Sequence, residues 1–200
     1  NCTGKIELYG QTFHCWKEKG HGIVDLKSAM KQSCDTYFYE ISRKLGVDRL
    51  RKTATKFGLG DKVLNNTYDI EKKGLVPNTN WKKNNLGKAW VLGETLITGI
   101  GQGYTQTTPL QLCLMTAQLA NGGFKIYPKI VVDKNDKTAD EIKALIDKDS
   151  KNSNSKEDGH NLLKTLTKDS HEKLFSNPEN IKLVKEAMFA STNEVRGTSY

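Results

Sequence analysis

Apolar side chains recur at intervals of three and four residues in the first third of the chain, which predicts short amphipathic helices. Asp25 can accept hydrogen bonds from a free first turn, so a helix is expected over 26–32. A second helix begins at Asp35 and should end at Gly46 in a left-handed cap. Its predicted apolar face consists of Phe38, Ile41 and Leu45.

Three further helices follow from capping residues. Asp48 is predicted to cap a helix that Gly58 ends. Thr107-Thr108-Pro109 starts another, with Thr as the cap and Pro at the first position, and Asn121-Gly122-Gly123 ends it. That helix is expected to be buried on most sides, with Cys113 in the core rather than at a binding site. Asn177-Pro178 opens the last helix, which should run to about Ala190 on an apolar face of Ile181, Val184 and Met188.

Turn residues dominate two other regions, 1–22 and 59–93, which are therefore predicted to be loops. Trp81 and Trp90 should anchor the second region by burying their rings. Apolar and polar side chains alternate from Phe124 to Val132, which predicts a strand. The expected class is α/β (α+β), a helical lobe with part of an antiparallel sheet.

Charged and polar residues fill the region 133–176, which is predicted to be a surface insertion between two parts of one domain, 1–132 and 177–200. A modest helix is expected near Ala139 to Asp147, and a disordered stretch over Lys151 to Gly159. His160 and His171 should be exposed to solvent.

The formal net charge is +8, from 31 Lys and Arg against 23 Asp and Glu. The lysines are scattered over loops and do not gather with aromatic residues on one face, so the charge predicts a solvated surface and no nucleic acid partner. No apolar run in the sequence reaches the 18 residues that a membrane span needs. The glycines of GIGQGY, from Gly99 to Tyr104, lack the spacing of a phosphate-binding loop and favour close backbone packing.

Four residues near the start of the chain are candidate metal ligands: Cys2, Cys15, His21 and Cys34. Three thiolates and one imidazole form the closed tetrahedral set that structural zinc uses. Their spacing matches no compact zinc finger. The alternatives are a Cys2–Cys15 disulfide, independent buried thiols, and His14 in place of His21.

Ser33 and Asp35 are the candidate catalytic residues, because they lie two positions apart where one predicted helix ends and the next begins. Both are expected to face a cleft, while Cys34 between them faces the protein body. No base in the neighbouring sequence would activate Ser33 as a nucleophile, and a serine in such a place is more often a helix cap.

An ordered set of phrases resembles the transpeptidase domain of class B penicillin-binding proteins, and its cell-elongation branch in particular. The phrases are Gly20-His21-Gly22, SCDTYFY from Ser33, FGLG from Phe57, GIGQGY from Gly99, TPLQL from Thr108 and Gly197-Thr198. The resemblance implies a serine acyltransferase that cross-links peptidoglycan stem peptides ending in D-Ala-D-Ala and is acylated by β-lactams. It implies a penicillin-binding or β-lactamase-like fold, of which this chain would be an incomplete fragment.

The same resemblance implies site roles. Such enzymes use a Ser-x-x-Lys nucleophile motif, a Ser-x-Asn or Ser-x-Asp motif, and a Lys-Ser/Thr-Gly motif. The second corresponds to Ser33-Cys34-Asp35, and the others are expected before Asn1 and beyond Tyr200, so this chain alone should be inactive. Ser33 would relay a proton to the leaving amine, and Asp35 would hydrogen-bond the catalytic Lys or the substrate. Some members of the elongation branch hold zinc beside this motif, which strengthens the zinc interpretation.

The partners that the resemblance implies are peptidoglycan stem peptides, β-lactam antibiotics and a membrane glycosyltransferase. It places the protein at the periplasmic face of the bacterial inner membrane, with an anchor upstream of this chain. It implies no organic cofactor. Two alternatives remain. One is a β-lactam sensor or inactive scaffold on the same fold, and the other is a basic zinc module that binds nucleic acid.

Overall fold

The computed structural model describes residues 1–64, 69–128 and 172–199. Within those ranges a two-stranded antiparallel hairpin precedes a set of packed helices, so the predicted α+β class is confirmed. The strands are β1 (Lys5–Leu8) and β2 (Gln11–His14). The helices are α1 (Leu26–Lys31), α2 (Asp35–Leu45), α3 (Val47–Lys56), α4 (Thr79–Leu86), α5 (Leu92–Gly99), α6 (Pro109–Ala120) and α7 (Pro178–Asn193).

The hairpin corrects the expectation that residues 1–22 form only a loop. Lys5 pairs with His14 and Leu8 with Gln11, across a two-residue turn at Tyr9-Gly10. Both turn residues have positive φ angles, 50° and 77°, as a tight hairpin turn with the right twist requires. The two strands are only four residues long each, which is too short for alternation to stand out in the sequence.

Helices α1 and α2 form as predicted, but α2 buries a different face. Asp25 caps α1, accepting a hydrogen bond from the Ser28 amide at 2.7 Å. The buried residues of α2 are Thr36, Tyr39 and Ser42, whereas Leu45 is 41% exposed. The face is set by neighbours: Tyr39 packs edge-on against Phe13 of the hairpin, and Ser42 faces α5.

Gly46 joins α2 directly to α3. Its φ of 78° is positive, but its ψ of 153° is extended, so the predicted left-handed cap is wrong. Gly46 also occupies the cap position of α3, which corrects the prediction that Asp48 caps it. The Asp48 carboxylate instead accepts hydrogen bonds from the Thr79 amide and hydroxyl, at 3.2 and 3.1 Å, and so ties α3 to the start of α4.

Helix α4 and the start of α5 lie in a region predicted to be loop. Asn78 caps α4 by accepting from the Trp81 amide at 2.8 Å, and Gly87 ends it in the left-handed conformation. The sequence of α4, TNWKKNNL, is polar and shows little apolar periodicity, so the hydrophobic pattern does not predict this helix. Trp81 and Trp90 are half-buried, and both rings contact Tyr104, so the predicted anchoring is confirmed.

Helix α6 begins and ends where predicted, with Thr108 as cap and Pro109 in its first turn. The expectation of burial on most sides is wrong, and so is the placing of Cys113 in the core, since that thiol is exposed. The buried positions are Gln111, Leu114 and Gln118. The side-chain amide of Gln111 donates hydrogen bonds to the backbone carbonyls of Asp61 and Lys73 at 2.6 and 2.9 Å. The inward face is therefore partly polar, because α6 packs on loops whose backbone needs partners.

Helix α7 starts at the predicted Pro178 and ends three residues beyond the expected Ala190. Its buried residues are Ile181, Ala187 and Ala190, whereas Met188 is 41% exposed, so the predicted face is wrong at that position. The small side chains Ala187 and Ala190 let α7 lie close against α1.

The predicted strand over 124–132 is reduced, as far as residue 128, to an isolated bridge between Phe124 and Lys173. The predicted helix at 139–147, the stretch 151–159, His160 and His171 lie outside the described residues. Among the helices of the described ranges, none combines the length and apolar composition of a membrane span.

Candidate functional site

Ser33 lies in a tight turn that ends α1 and leads into α2. The Cys34 amide donates to the Ala29 carbonyl at 2.8 Å, and the Ser33 amide donates to the Met30 carbonyl at 3.2 Å. This pair of bonds is a Schellman motif, in which the residue at the position of Ser33 is left-handed and usually glycine. Ser33 adopts that conformation with a φ of 50°. A serine here is conformationally unfavourable, so the turn indicates a role for its side chain.

The turn sends its three side chains in different directions. Ser33 and Asp35 line a surface groove of about 330 Å³ together with Met30, Phe38, Gly99 and Ile100. Cys34 is fully buried on the opposite side. The arrangement is the one expected from the sequence: a hydroxyl and a carboxylate face a cleft, and the thiol between them faces inward.

Asp35 is held by a residue that sequence reasoning missed. The Trp16 amide donates to Asp35 Oδ2 at 2.9 Å, and the Trp16 indole donates to the Gln32 carbonyl at 3.0 Å. Asp35 also lies in the first turn of α2, where the helix dipole favours a carboxylate. Trp16 therefore bridges both sides of the turn, and the local sequence around it contains no signal of that contact.

The four candidate metal ligands come together beneath the turn. The bridge between Cys2 and Gly22 closes the loop around β1 and β2, and the Cys15 amide donates to the Gly4 carbonyl at 2.8 Å. As a result, the ligand atoms of Cys2, Cys15, His21 and Cys34 lie within 4.8 Å of one another. His14, the alternative imidazole, is exposed at the end of β2 and is not in this cluster.

All three cysteines of the cluster are buried and free, so Cys2 and Cys15 form no disulfide in the structure. His21 Nδ1 lies 3.5 Å from the sulfur atoms of both Cys2 and Cys15. Ideal tetrahedral zinc, with bonds of about 2.3 Å to sulfur and about 2.0 Å to nitrogen, separates those atoms by roughly 3.5 Å. The donor set and these separations fit a zinc ion.

The thiols of the cluster differ in acidity. Burial opposes ionisation of Cys2, but hydrogen bonds from the Thr36 hydroxyl and the backbone of His21 and Gly4 lower its pKa to about 6. Burial raises the pKa of Cys34 to about 11, with the neighbouring Cys2 adding to the effect. The Cys2 thiolate is thus favoured at neutral pH without metal, and a divalent cation would have to displace the proton of Cys34.

Residues 1–200 match the family model described as the penicillin binding protein transpeptidase domain. The chain belongs to this family. The peptidoglycan D,D-transpeptidase MrdA of Acinetobacter baumannii is 40% identical over 132 residues, which are 64% of this chain and 19% of that protein. The chain therefore spans about a fifth of the length of this transpeptidase relative.

Two solved structures share the transpeptidase fold over 98% of this chain. Penicillin-binding protein 2 of Pseudomonas aeruginosa, in complex with WCK 5153, has a TM-score of 0.72 and 32% identity, and 39% of it is covered. Penicillin-binding protein 2 of Helicobacter pylori, in complex with MreC, has a TM-score of 0.74 and 25% identity, and 31% of it is covered. The predicted family, including its likeness to penicillin-binding protein 2, and the predicted fold are confirmed.

A Ser-x-x-Lys spacing does occur within this chain, from Ser28 to Lys31 on α1, but the two side chains do not contact each other as a nucleophile pair would. Ser28 hydrogen-bonds Asp25, while Lys31 Nζ contacts Glu194 at 2.9 Å. Hydrogen bonds from Lys27 and Lys31 hold the pKa of Glu194 below its usual range. Both lysines therefore serve to attach α1 to the end of α7.

The segment after α7 supplies one more contact to the turn that contains Ser33. Thr198 Oγ1 lies 2.9 Å from Ser33 Oγ. Gly197-Thr198 is among the phrases that carry the family resemblance, yet the sequence assigns it no role. More than 160 positions separate the two hydroxyls, so only the fold brings them together.

Proposed function

We propose that the whole protein containing this chain is a peptidoglycan D,D-transpeptidase acting through a serine acyl-enzyme. The observation that carries the proposal is the outward-facing pair of Ser33 and Asp35 on the groove, in a chain of the transpeptidase family. The nucleophilic serine, its lysine and the Lys-Thr-Gly strand would come from other parts of the protein.

In this mechanism, the nucleophile's oxygen forms a bond to the penultimate D-Ala carbonyl carbon, and the bond from that carbon to the terminal D-Ala nitrogen breaks. The nucleophile's lysine would take the proton that the attacking oxygen releases. The Ser33 hydroxyl would then relay a proton from that lysine to the leaving nitrogen as a general acid. Asp35, oriented by the Trp16 amide, would accept a hydrogen bond from that lysine or from a substrate amide. β-Lactams would acylate the same nucleophile.

We further propose that Cys2, Cys15, His21 and Cys34 hold a structural zinc ion. The support is the composition of the cluster, its burial and the 3.5 Å separations of nitrogen from sulfur. With four protein ligands no position would remain for water, so the ion would stabilise the fold and take no part in the reaction. Its effect on the site would be to fix Cys34 from behind.

The setting proposed for the whole protein follows its relatives. Stem peptides and β-lactams would occupy the groove, and a membrane glycosyltransferase would supply the glycan strands at the periplasmic face of the inner membrane, with an anchor outside this chain. The similarity of this chain to a protein named peptidoglycan D,D-transpeptidase supports an enzyme rather than a sensor or scaffold. Family membership likewise gives no support to a nucleic acid module.

Replacement of the two groove residues tests the proposal. In the whole protein, Ser33→Ala and Asp35→Asn are each expected to slow acylation by fluorescent penicillin about a hundredfold, because general acid catalysis and alignment of the lysine are lost. Thr116→Ala, which removes an exposed hydroxyl on α6, is the control and should react normally. Unchanged acylation in both variants would remove the assigned roles. Acylation of the unmodified protein without cross-linking of glycan strands would indicate a sensor instead.

A further inference from the structure

The Ser33 hydroxyl depends on a distant residue for its orientation. The turn bonds of Ser33 are all made by backbone atoms, and its side chain is exposed on the groove. Among the described residues, the hydrogen-bond partner of Ser33 Oγ is Thr198 Oγ1, at 2.9 Å. Without that contact the hydroxyl would be free to take any of its staggered rotamers.

Thr198 is itself held firmly against α1. Its amide donates to the Lys31 carbonyl at 3.0 Å, two residues before Ser33. Gly197 packs against the backbone of Ser191, where a Cβ atom would collide with the Ser191 carbonyl, so only glycine fits. Glu194 adds ion pairs to Lys27 and Lys31 at 2.8 and 2.9 Å. The threonine and the serine are therefore attached to the same end of the same helix.

The contacts of Thr198 Oγ1 hold that oxygen in place. It has one proton and three neighbours: Ser33 Oγ at 2.9 Å, Ser191 Oγ at 3.3 Å and the Lys31 carbonyl at 3.3 Å. The Lys31 carbonyl also accepts from the Thr198 amide at 3.0 Å, and its two lone pairs allow both bonds. Because a carbonyl can only accept, all three contacts are satisfied when the Thr198 hydroxyl donates to Lys31 and accepts from the two serines. The Ser33 oxygen is then held in one position at the groove.

We propose that Thr198 is a positioning residue that fixes the Ser33 hydroxyl in one rotamer at the groove. The inference rests on the proposed function, in which Ser33 delivers a proton to the leaving nitrogen. It adds to that function a threonine outside the three motifs, on the segment that follows α7.

Thr198→Val in the whole protein tests the inference, because valine preserves the shape of threonine and removes only the hydroxyl. The first-order rate of acylation by a chromogenic β-lactam should fall about tenfold, the effect of losing one hydrogen bond, while the apparent affinity for the β-lactam stays unchanged. Thr198→Ser should restore the rate, since it restores the hydroxyl. Thr192→Val is the matched control, because this hydroxyl lies at the end of α7 and its hydrogen bonds within the described ranges are to the Phe189 carbonyl and the Asn193 side chain.

A double-mutant comparison separates this inference from the proposed function. If Thr198 acts through Ser33, Thr198→Val should cause no further loss in a Ser33→Ala background. An equal loss in both backgrounds, a loss confined to apparent affinity, or failure of Thr198→Ser to restore the rate would overturn the positioning role. If Ser33→Ala acylates at the normal rate, the proposed function of Ser33 fails instead. A normal rate in Thr198→Val beside a slow Ser33→Ala would reject Thr198 alone.

Discussion

The single residue with the clearest conflict between stability and chemistry is Ser33. Its left-handed backbone conformation, with a φ of 50°, is unfavourable for any residue that carries a Cβ atom. The Schellman bonds around it would form equally well around glycine. That conformation places the Ser33 hydroxyl on the groove that Asp35 also lines, 2.9 Å from the hydroxyl of Thr198.

Ser33→Gly is therefore expected to stabilise the folded domain while it disables the site. Relief of the left-handed strain should raise the free energy of unfolding by about 1 kcal/mol relative to Ser33→Ala, since both variants lack the hydroxyl and only glycine adopts the conformation readily. Calorimetric melting of the whole protein and its two variants measures the difference. Equal melting temperatures for the glycine and alanine variants would contradict the proposed strain.

At the scale of elements, the groove depends on how closely α5 approaches α2. Gly99, the last residue of α5, packs directly on Ser42 of α2, whose hydroxyl donates to the Phe38 carbonyl at 2.6 Å. Both Phe38 and Gly99 line the groove beside Ser33. The predicted close packing at Gly99 is thus confirmed, and it sets the width of the groove floor.

Gly99→Ala should separate these two helices. An added Cβ atom would overlap the Ser42 side chain, which is buried and cannot move aside, so a loss of about 2 kcal/mol in unfolding free energy is expected, with slower acylation. Gly93→Ala, in the first turn of the same helix, is the control. Its Cβ atom would meet the tip of the Phe13 ring at 3.1 Å and Gln11 Oε1 at 3.7 Å, both ends of side chains that can shift, so melting should change little or rise slightly. Comparable losses in both variants would mean that close packing at Gly99 is not special.

In the whole molecule, two remote parts of the chain meet at the turn that contains Ser33. The hairpin region contributes Trp16 to Asp35 and three cluster residues below Cys34, and the segment after α7 contributes Thr198 to Ser33. The cysteine and histidine cluster is thus one link between the hairpin region and α2, beside the packing of Tyr39 on Phe13 and the hydrogen bond from the Tyr39 hydroxyl to the His14 carbonyl.

Metal analysis tests that link. The purified protein should contain close to one equivalent of zinc, and Cys34→Ser should lose it, whereas Cys113→Ser, which removes the exposed thiol of α6, should retain it. Removal of zinc by a chelator should lower the melting temperature, because the ion binds only the folded cluster. Mass spectrometry that finds a Cys2–Cys15 disulfide in place of metal would reject the site.

Local chemistry determined the helix ends of this protein. Asp25, Thr108-Pro109 and Asn177-Pro178 start helices where capping predicts them, because a cap acts within a few residues of its own position. The Ser33-Cys34-Asp35 turn and the candidate ligands were likewise evident from residue types and spacing, and the ordered phrases identified the family. The predicted burial of Cys113 and Met188 was wrong, because helical periodicity shows which face of a helix is apolar but does not show which face packs against a neighbouring element.

Only the tertiary structure decided which distant residues complete the site. The choice of His21 over His14, the Trp16 amide on Asp35 and the Thr198 hydroxyl on Ser33 all depend on chain segments that fold against each other across up to 165 positions. Such contacts cannot be predicted from the hydrophobic periodicity of the sequence. Each one is a single hydrogen bond or metal-ligand candidate that joins two segments, and the local pattern of one segment does not depend on that of the other. The sequence alone therefore determined the turn and its chemistry, and tertiary packing determined what orients it.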